Sequence, residues 1–302
     1  MANYDFVTVD VFTTRRFGGN PLAVFPNAAG LTDAQMQAIA MEFNLSETTF
    51  VLPPADPRHH AQVRIFTPKT EMPFAGHPNV GTGFVLATQD PNPPEHYTFE
   101  EIAGLVRVHI LRGQDGAIEG TRISAPRSLS IDIAVPTDLV AACAGLPEDA
   151  IVTTSHDPLV ASVGTPFVFA EVASLDVLAA ASPDLTAFRR GAAQFPALAH
   201  RFNLMLYCRR GELVTALRTR MFAPLSGVLE DPATGSANAA LAALLTSLAP
   251  GDNLSLHFDI EQGVEMGRPS KVVAGAVKTS EGPVEATVAG SCVPVMRGTL
   301  IV

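Results

Sequence analysis

At 302 residues, 47% apolar and 17% charged, the chain can build one large domain or two ordinary ones with real cores. A formal net charge of -10 argues against the phosphate backbone of a nucleic acid as partner. No run approaches the roughly 20 apolar residues of a membrane span, and the start of the chain lacks a basic stretch followed by an apolar one. Cys143, Cys208 and Cys292 are widely spaced and odd in number, so they make neither a disulfide framework nor a metal pattern. A reducing cytoplasm is the expected location.

The opening Y-D-F-V-T-V-D-V-F alternates as a strand does. The turn F-G-G-N-P then leads into a second strand, L-A-V-F. A helix follows over G-L-T-D-A-Q-M-Q-A-I-A-M-E-F-N. Thr32 and Gln35 fit a capping box, Met36, Ile39, Ala40 and Phe43 share one face, and Asn44 is a left-handed stop. Next comes N-L-S-E-T-T-F, where Glu47 falls between the helix and the strand T-T-F-V-L. Glu47 is either a solvated helix-end residue or a general acid/base. A-Q-V-R-I-F-T-P is strand-like, and N-V-G-T-G-F-V-L-A-T (79–88) reads as a small-residue helix.

The second half can be laid over the first. G-N-P-L-A-V-F (19–25) matches G-T-P-F-V-F-A (164–170), and A-G-H-P-N (75–79) matches T-G-S-A-N (234–238). Both matches fall at turns and keep their order, which favours an internal duplication. Two similar α+β domains are implied, with a changeover near 123–128. Each turn-to-helix element offers unpaired N–H groups and partial positive charge suited to a carboxylate. Gly76 and Gly235 let backbone approach a ligand. Taken singly, each motif is equally an ordinary glycine turn before a buried helix.

His77 can be a capping or core histidine, or can hydrogen-bond a substrate and support proton transfer. Asp231 can initiate a turn and Ser236 can cap a helix; both can contact substrate as well. No G-x-S-x-G elbow supports Ser236 as a nucleophile. G-T-G-F-V-L (81–86) has Leu86 where a dinucleotide fingerprint needs glycine, and no phosphate-binding loop or metal spacing is present. Q-G-V-E-M-G-R-P-S (262–270) is a strand followed by a turn, whose Arg268 pairs with a carboxylate or is simply exposed.

Together F-G-G-N-P-L-A-V (17–24), N-L-S-E-T-T-F (44–50), A-G-H-P-N-V-G-T (75–82), D-P-A-T-G-S-A-N (231–238) and Q-G-V-E-M-G-R-P-S (262–270) resemble the phenazine-biosynthesis PhzF-like family of the diaminopimelate-epimerase superfamily. The resemblance implies an α+β fold of two similar domains, each a barrel-like sheet around a central helix. The expected boundaries are 1–125 plus 295–302 for the first domain and 126–294 for the second. The resemblance also implies an active site at the domain interface, no cofactor, a small carboxylated substrate and a homodimer. Glu47 matches the family's proton-transferring glutamate, and His77, Asp231 and Ser236 match residues that assist it. Gly76 and Gly235 sit where backbone meets substrate. Asn20, Pro78, Asn79 and Thr234 lie in the same motifs and are carried over as substrate-binding.

The expected activity is cofactor-independent isomerisation of a dihydro-hydroxyanthranilate-like metabolite, with burial tuning Glu47 toward the range of about 6–7 used by general acid/base glutamates. The alternatives are an epimerase or racemase using Glu47 with a second acid, and a non-catalytic dimeric small-molecule binding protein. Epimerases of the superfamily place a cysteine in each turn-to-helix motif. Here those places hold His77 and Ser236, so two-cysteine racemisation is not expected.

Overall fold

The computed structural model describes residues 2–302, and of His200 the backbone alone. The chain divides into two compact units, one of residues 1–126 with 289–302 and the other of residues 127–288.

The first unit carries β1 (Asn3–Val11), β2 (Asn20–Phe25), α1 (Asp33–Phe43), β3 (Glu47–Leu52), β4 (Ala61–Phe66), β5 (Glu71–Met72), α2 (Gly76–Gln89), β6 (His96–Glu101), β7 (Gly104–Arg112) and β8 (Ile118–Ser124). The end of the final strand, Glu285–Ile301, pairs with β1 from Asn3↔Ile301 to Val11↔Cys292 and also with β8. Following the pairs from that strand through β1, β2, β3, β4, β6, β7 and β8 returns to it, so eight strands close a barrel without free edges. Inside runs α2, packed against β1, β2, β3, β7 and β8. Its residues are buried on every side, as expected of a helix with no polar face. Gly81 and Gly83 permit the fit: a Cβ on Gly81 would lie 2.6 Å from Leu22 Cδ2, and one on Gly83 2.4 Å from Val108 Cγ1. These glycines of G-T-G-F are therefore contacts between helix and wall, not a phosphate loop.

Outside the barrel, α1 follows its sequence signals. Thr32 and Gln35 form the capping box, and Asn44 ends the helix in the left-handed region at φ 49°. Met36, Ile39 and Ala40 are buried, while Phe43 is half-buried with its edge against Phe6.

The second unit carries β9 (Ser130–Ala134), α3 (Thr137–Ala144), β10 (Ile151–Val152), β11 (Leu159–Ser162), β12 (Pro166–Val172), α4 (Leu175–Ala180), α5 (Leu185–Gln194), β13 (Leu204–Arg209), β14 (Ala216–Ala223), β15 (Val228–Asp231), α6 (Gly235–Leu248), β16 (Leu254–Gln262), β17 (Ser270–Lys278) and β18 (Glu285–Ile301), whose second half belongs to the first barrel. Its sheet repeats the plan of the first. The steps β1–β2–β3–β4–β6–β7 run antiparallel, parallel, antiparallel, parallel, antiparallel. The steps β11–β12–β13–β14–β16–β17 run in the same order of senses. Each parallel step needs a helical crossover: α1 serves β2 and β3, α4 and α5 serve β12 and β13, and the central helices α2 and α6 serve the later pairs. Both central helices are fourteen residues long.

The return to the first unit falls at Ala289, within β18. One continuous strand serves both units, so no turn or linker in the sequence marks the change. Among the described residues, no helix is long and apolar enough to cross a membrane.

Candidate active site

Glu47 opens β3 three residues after the stop of α1, in parallel register with Leu22 of β2. Its side chain is 17% exposed and faces inward. Opposite it stands His77, 6% exposed, with Nε2 at 3.5 Å from Glu47 Oε2. The helix begins at Gly76, three residues earlier than the small-residue run suggested, so His77 lies within its first turn. Pro78 is no obstacle there, because first-turn N–H groups have no partner within the helix.

Burial pushes the His77 imidazole down to about 3, against a backbone hydrogen bond to Pro21 that works the other way. His77 is therefore neutral near pH 7, and its contact with Glu47 is not an ion pair. Nε2 is buried without a hydrogen-bond partner, so the N–H given to the Pro21 carbonyl is that of Nδ1. This fixes the tautomer, leaving Nε2 a bare acceptor aimed at the Glu47 carboxyl.

The F-G-G-N-P turn braces both groups. Asn20, fully buried, accepts a hydrogen bond from the Ser46 hydroxyl at 3.1 Å, next to Glu47. Pro21 holds His77. Asn20 is thus seen fixing the chain beside Glu47. Pro78 and Asn79 are buried, and Asn79 Nδ2 donates to the Ala75 carbonyl at 3.0 Å. No side chain caps α2, whose preceding residue is Ala75.

In the second unit the matching turn is built from Asp231, Thr234 and Gly235. Thr234 precedes the helix and gives its hydroxyl to the buried Asp231 carboxylate at 2.5 Å. The helix-cap position belongs to Thr234, so Ser236 is not the cap; it sits in the first turn, half-exposed. Arg268 is half-buried in the turn between β16 and β17. Sequence reasoning missed Gln262. It is fully buried and ties this turn together through Thr234 N at 3.0 Å, Asn238 Nδ2 at 2.7 Å and the Asp231 carbonyl at 2.8 Å. It opens the Q-G-V-E-M-G-R-P-S motif, but nothing in that stretch gave the glutamine a role of its own.

A cavity of about 400 Å³ lies at the other end of α2, against Leu86, Gln89, Asp90 and Tyr97, and touches none of the candidate residues. All three cysteines are buried and free. Burial raises each thiol, Cys143 to about 12, so none offers a thiolate near neutral pH. Among the described residues, no cluster of three or more His, Cys, Asp or Glu could hold a metal ion.

The PhzC-PhzF family model, described as phenazine biosynthesis-like protein, matches residues 9–298. The chain belongs to this family. It is 34% identical to the trans-2,3-dihydro-3-hydroxyanthranilate isomerase of Pseudomonas fluorescens, with 99% of each chain covered. It is 39% identical to an uncharacterized isomerase of Mesorhizobium japonicum over the whole of both. Among solved structures, a PhzF-family phenazine biosynthesis protein of Bacillus anthracis superposes over the full length of both chains, with a TM-score of 0.87 at 25% identity. A hydroxyproline epimerase of Agrobacterium vitis shares the fold at a TM-score of 0.63 and 14% identity, covering 99% of this chain and 92% of that one. The chain thus shares an epimerase-like architecture.

Proposed function

We propose that this isomerase shifts a proton within a small carboxylated, cyclic or conjugated metabolite, of the dihydro-hydroxyanthranilate kind, with Glu47 as general acid/base. The observation that carries this reading is the pairing of an inward-facing carboxyl with a neutral imidazole acceptor at 3.5 Å. The Glu47 carboxylate takes a proton from a ring carbon as the C–H bond breaks. The electron pair moves through the conjugated system, shifting the double bond. Glu47, now an acid, returns the proton to a different carbon, where a new C–H bond forms. While Glu47 carries the proton, His77 Nε2 is positioned to accept its O–H as a hydrogen bond. This holds the proton within the site and away from water until it is returned.

The uncapped start of α2, with the Gly76 backbone open to approach, suits the substrate's carboxylate. Asp231, Thr234, Gly235 and Ser236 form an element of the same design in the second unit, and we assign it the same kind of task, orienting substrate. The raised thiols of Cys143, Cys208 and Cys292 argue against a two-thiol epimerase.

The test is proton NMR in deuterium oxide with trans-2,3-dihydro-3-hydroxyanthranilate and a panel of amino and cyclic carboxylic acids. The expected result is a shifted double bond with a new C–H signal at the carbon that gains the proton, lost in Glu47→Gln. Exchange at a stereocentre with the double bonds unmoved would replace isomerisation by epimerisation. Turnover unaffected by Glu47→Gln would remove Glu47 from the chemistry.

A further inference from the structure

The duplicated turns differ at one position that the mechanism above does not use. Gln262 is the last residue of β16, and Glu101 is the last residue of β6. The two strands are equivalent, β16 running parallel to β14 and β6 parallel to β4. The asparagines they approach are equivalent too. Asn238 Nδ2 donates to the Thr234 carbonyl and Asn79 Nδ2 to the Ala75 carbonyl, both at 3.0 Å.

In the second unit the Gln262 amide is fully used. Its oxygen accepts from Thr234 N and Asn238 Nδ2, and its nitrogen donates to the Asp231 carbonyl and Thr234 Oγ1. In the first unit a carboxyl stands in that place. The Glu101 stem is partly exposed, but both carboxyl oxygens are buried and make no hydrogen bond of normal geometry, and neither does the buried Asn79 Oδ1. A carboxylate could draw on no donor here but the second N–H of Asn79 Nδ2, and would leave Asn79 Oδ1 a buried acceptor without a donor. A carboxylic acid offers an acceptor oxygen and one O–H donor, where the glutamine amide offers an acceptor oxygen and two N–H donors. Its O–H supplies the donor that Asn79 Oδ1 lacks.

We propose that Glu101 is a positioning residue working as an uncharged carboxylic acid, the first unit's counterpart of Gln262, whose proton secures Asn79 and with it the opening turn of α2 that carries His77. Burial raises the Glu101 carboxyl to about 8, and the Asn79 amide is the one group acting against that rise. The titratable and charged groups on the surrounding elements do not enter. His77 on α2 is neutral, Glu71 on β5 is held by Arg64 of β4 at 2.7 Å, and Arg107 and His109 lie on β7. The adjacent Glu100 is bound to His59 at 2.8 Å. The turn is therefore built to loosen as pH rises through the range where Glu101 loses its proton.

The inference rests on the proposed role of the Glu47–His77 pair for its importance to turnover, so its test reads the protein without substrate. Carbon-13 carboxyl NMR on glutamate-labelled protein, with Glu101 assigned by its absence from Glu101→Gln, should show one glutamate titrating near pH 8. The His77 ring signals should shift over the same interval in the wild type and stay fixed in Glu101→Gln, which should fold as well as the parent. Should Glu101→Gln prove unable to fold, the wild-type carboxyl titration alone decides. A Glu101 carboxyl titrating with ordinary glutamates near pH 4–5, or His77 signals indifferent to pH between 7 and 9.5, overturns the proposal. Both readouts hold whether or not Glu47 catalyses anything.

Discussion

Glu47 and His77 divide the work of a proton transfer by environment. His77 stays uncharged near neutrality because burial disfavours an imidazolium more than the hydrogen bond to the Pro21 carbonyl favours it. Three consequences are measurable. Replacing Glu47 by Gln keeps the shape and removes the titrating group, so turnover of a processed substrate should drop by roughly 10²–10⁴-fold, the usual worth of a general acid/base; steady-state kinetics on the D₂O substrate would show it. The His77 ring should not titrate between pH 5 and 7 in an imidazole NMR experiment. His77 also leaves a mark on stability. Its folded-state pKa is about 3 against an ordinary 6.5. Between those values the unfolded chain binds a proton that the folded chain refuses, so stability is complete above about pH 6.5 and drains away as pH falls toward 3. Urea unfolding at pH 7 and pH 4 should show a smaller acid-side loss in His77→Gln than in the parent. Equal losses would mean that His77 ionises freely in the fold.

At the scale of elements, α1 was legible because its signals are local: a capping box, an apolar face and a left-handed asparagine all lie within thirteen residues. The start of α2 was not, because G-H-P looks like a turn until the barrel around it supplies the burial. The same holds for the glycines of G-T-G-F, whose purpose is the distance to Leu22 and Val108. Gly81→Ala tests that purpose. Its new methyl would meet Leu22 Cδ2 at 2.6 Å and Val11 Cγ2 at 2.8 Å, and both side chains are themselves fully buried in the wall. An overpacked core of this kind costs about 1–3 kcal/mol. A thermal melt should move down accordingly, while the same change at the exposed Gly116, which has open space but positive φ, should act only through local backbone strain.

For the whole molecule, the duplication was legible from two short matches because turns and helix starts carry residue-specific demands. The strand that serves both units was not, because nothing in E-A-T-V-A-G-S-C-V-P distinguishes one barrel's wall from the other's. Gln262 and Glu101 escaped for a related reason, since a lone side chain at a strand end acquires meaning only when the topology sets it against a helix start. The placing of the cysteines extends to chemistry. Cys143, Cys208 and Cys292 are each at most 6% exposed, and their thiols are held in the protonated form by burial. A thiolate is the reacting species toward alkylating and disulfide reagents. The folded protein should therefore resist iodoacetamide and an aromatic disulfide at pH 7.5, and three thiols should appear on denaturation. Turnover should survive the treatment unchanged. In an enzyme of this architecture that relied on two thiols, the same reagents would abolish turnover together with the free-thiol signal. Rapid modification of a single cysteine coupled to loss of activity would thus return a thiol to the mechanism and displace Glu47 from its solitary role.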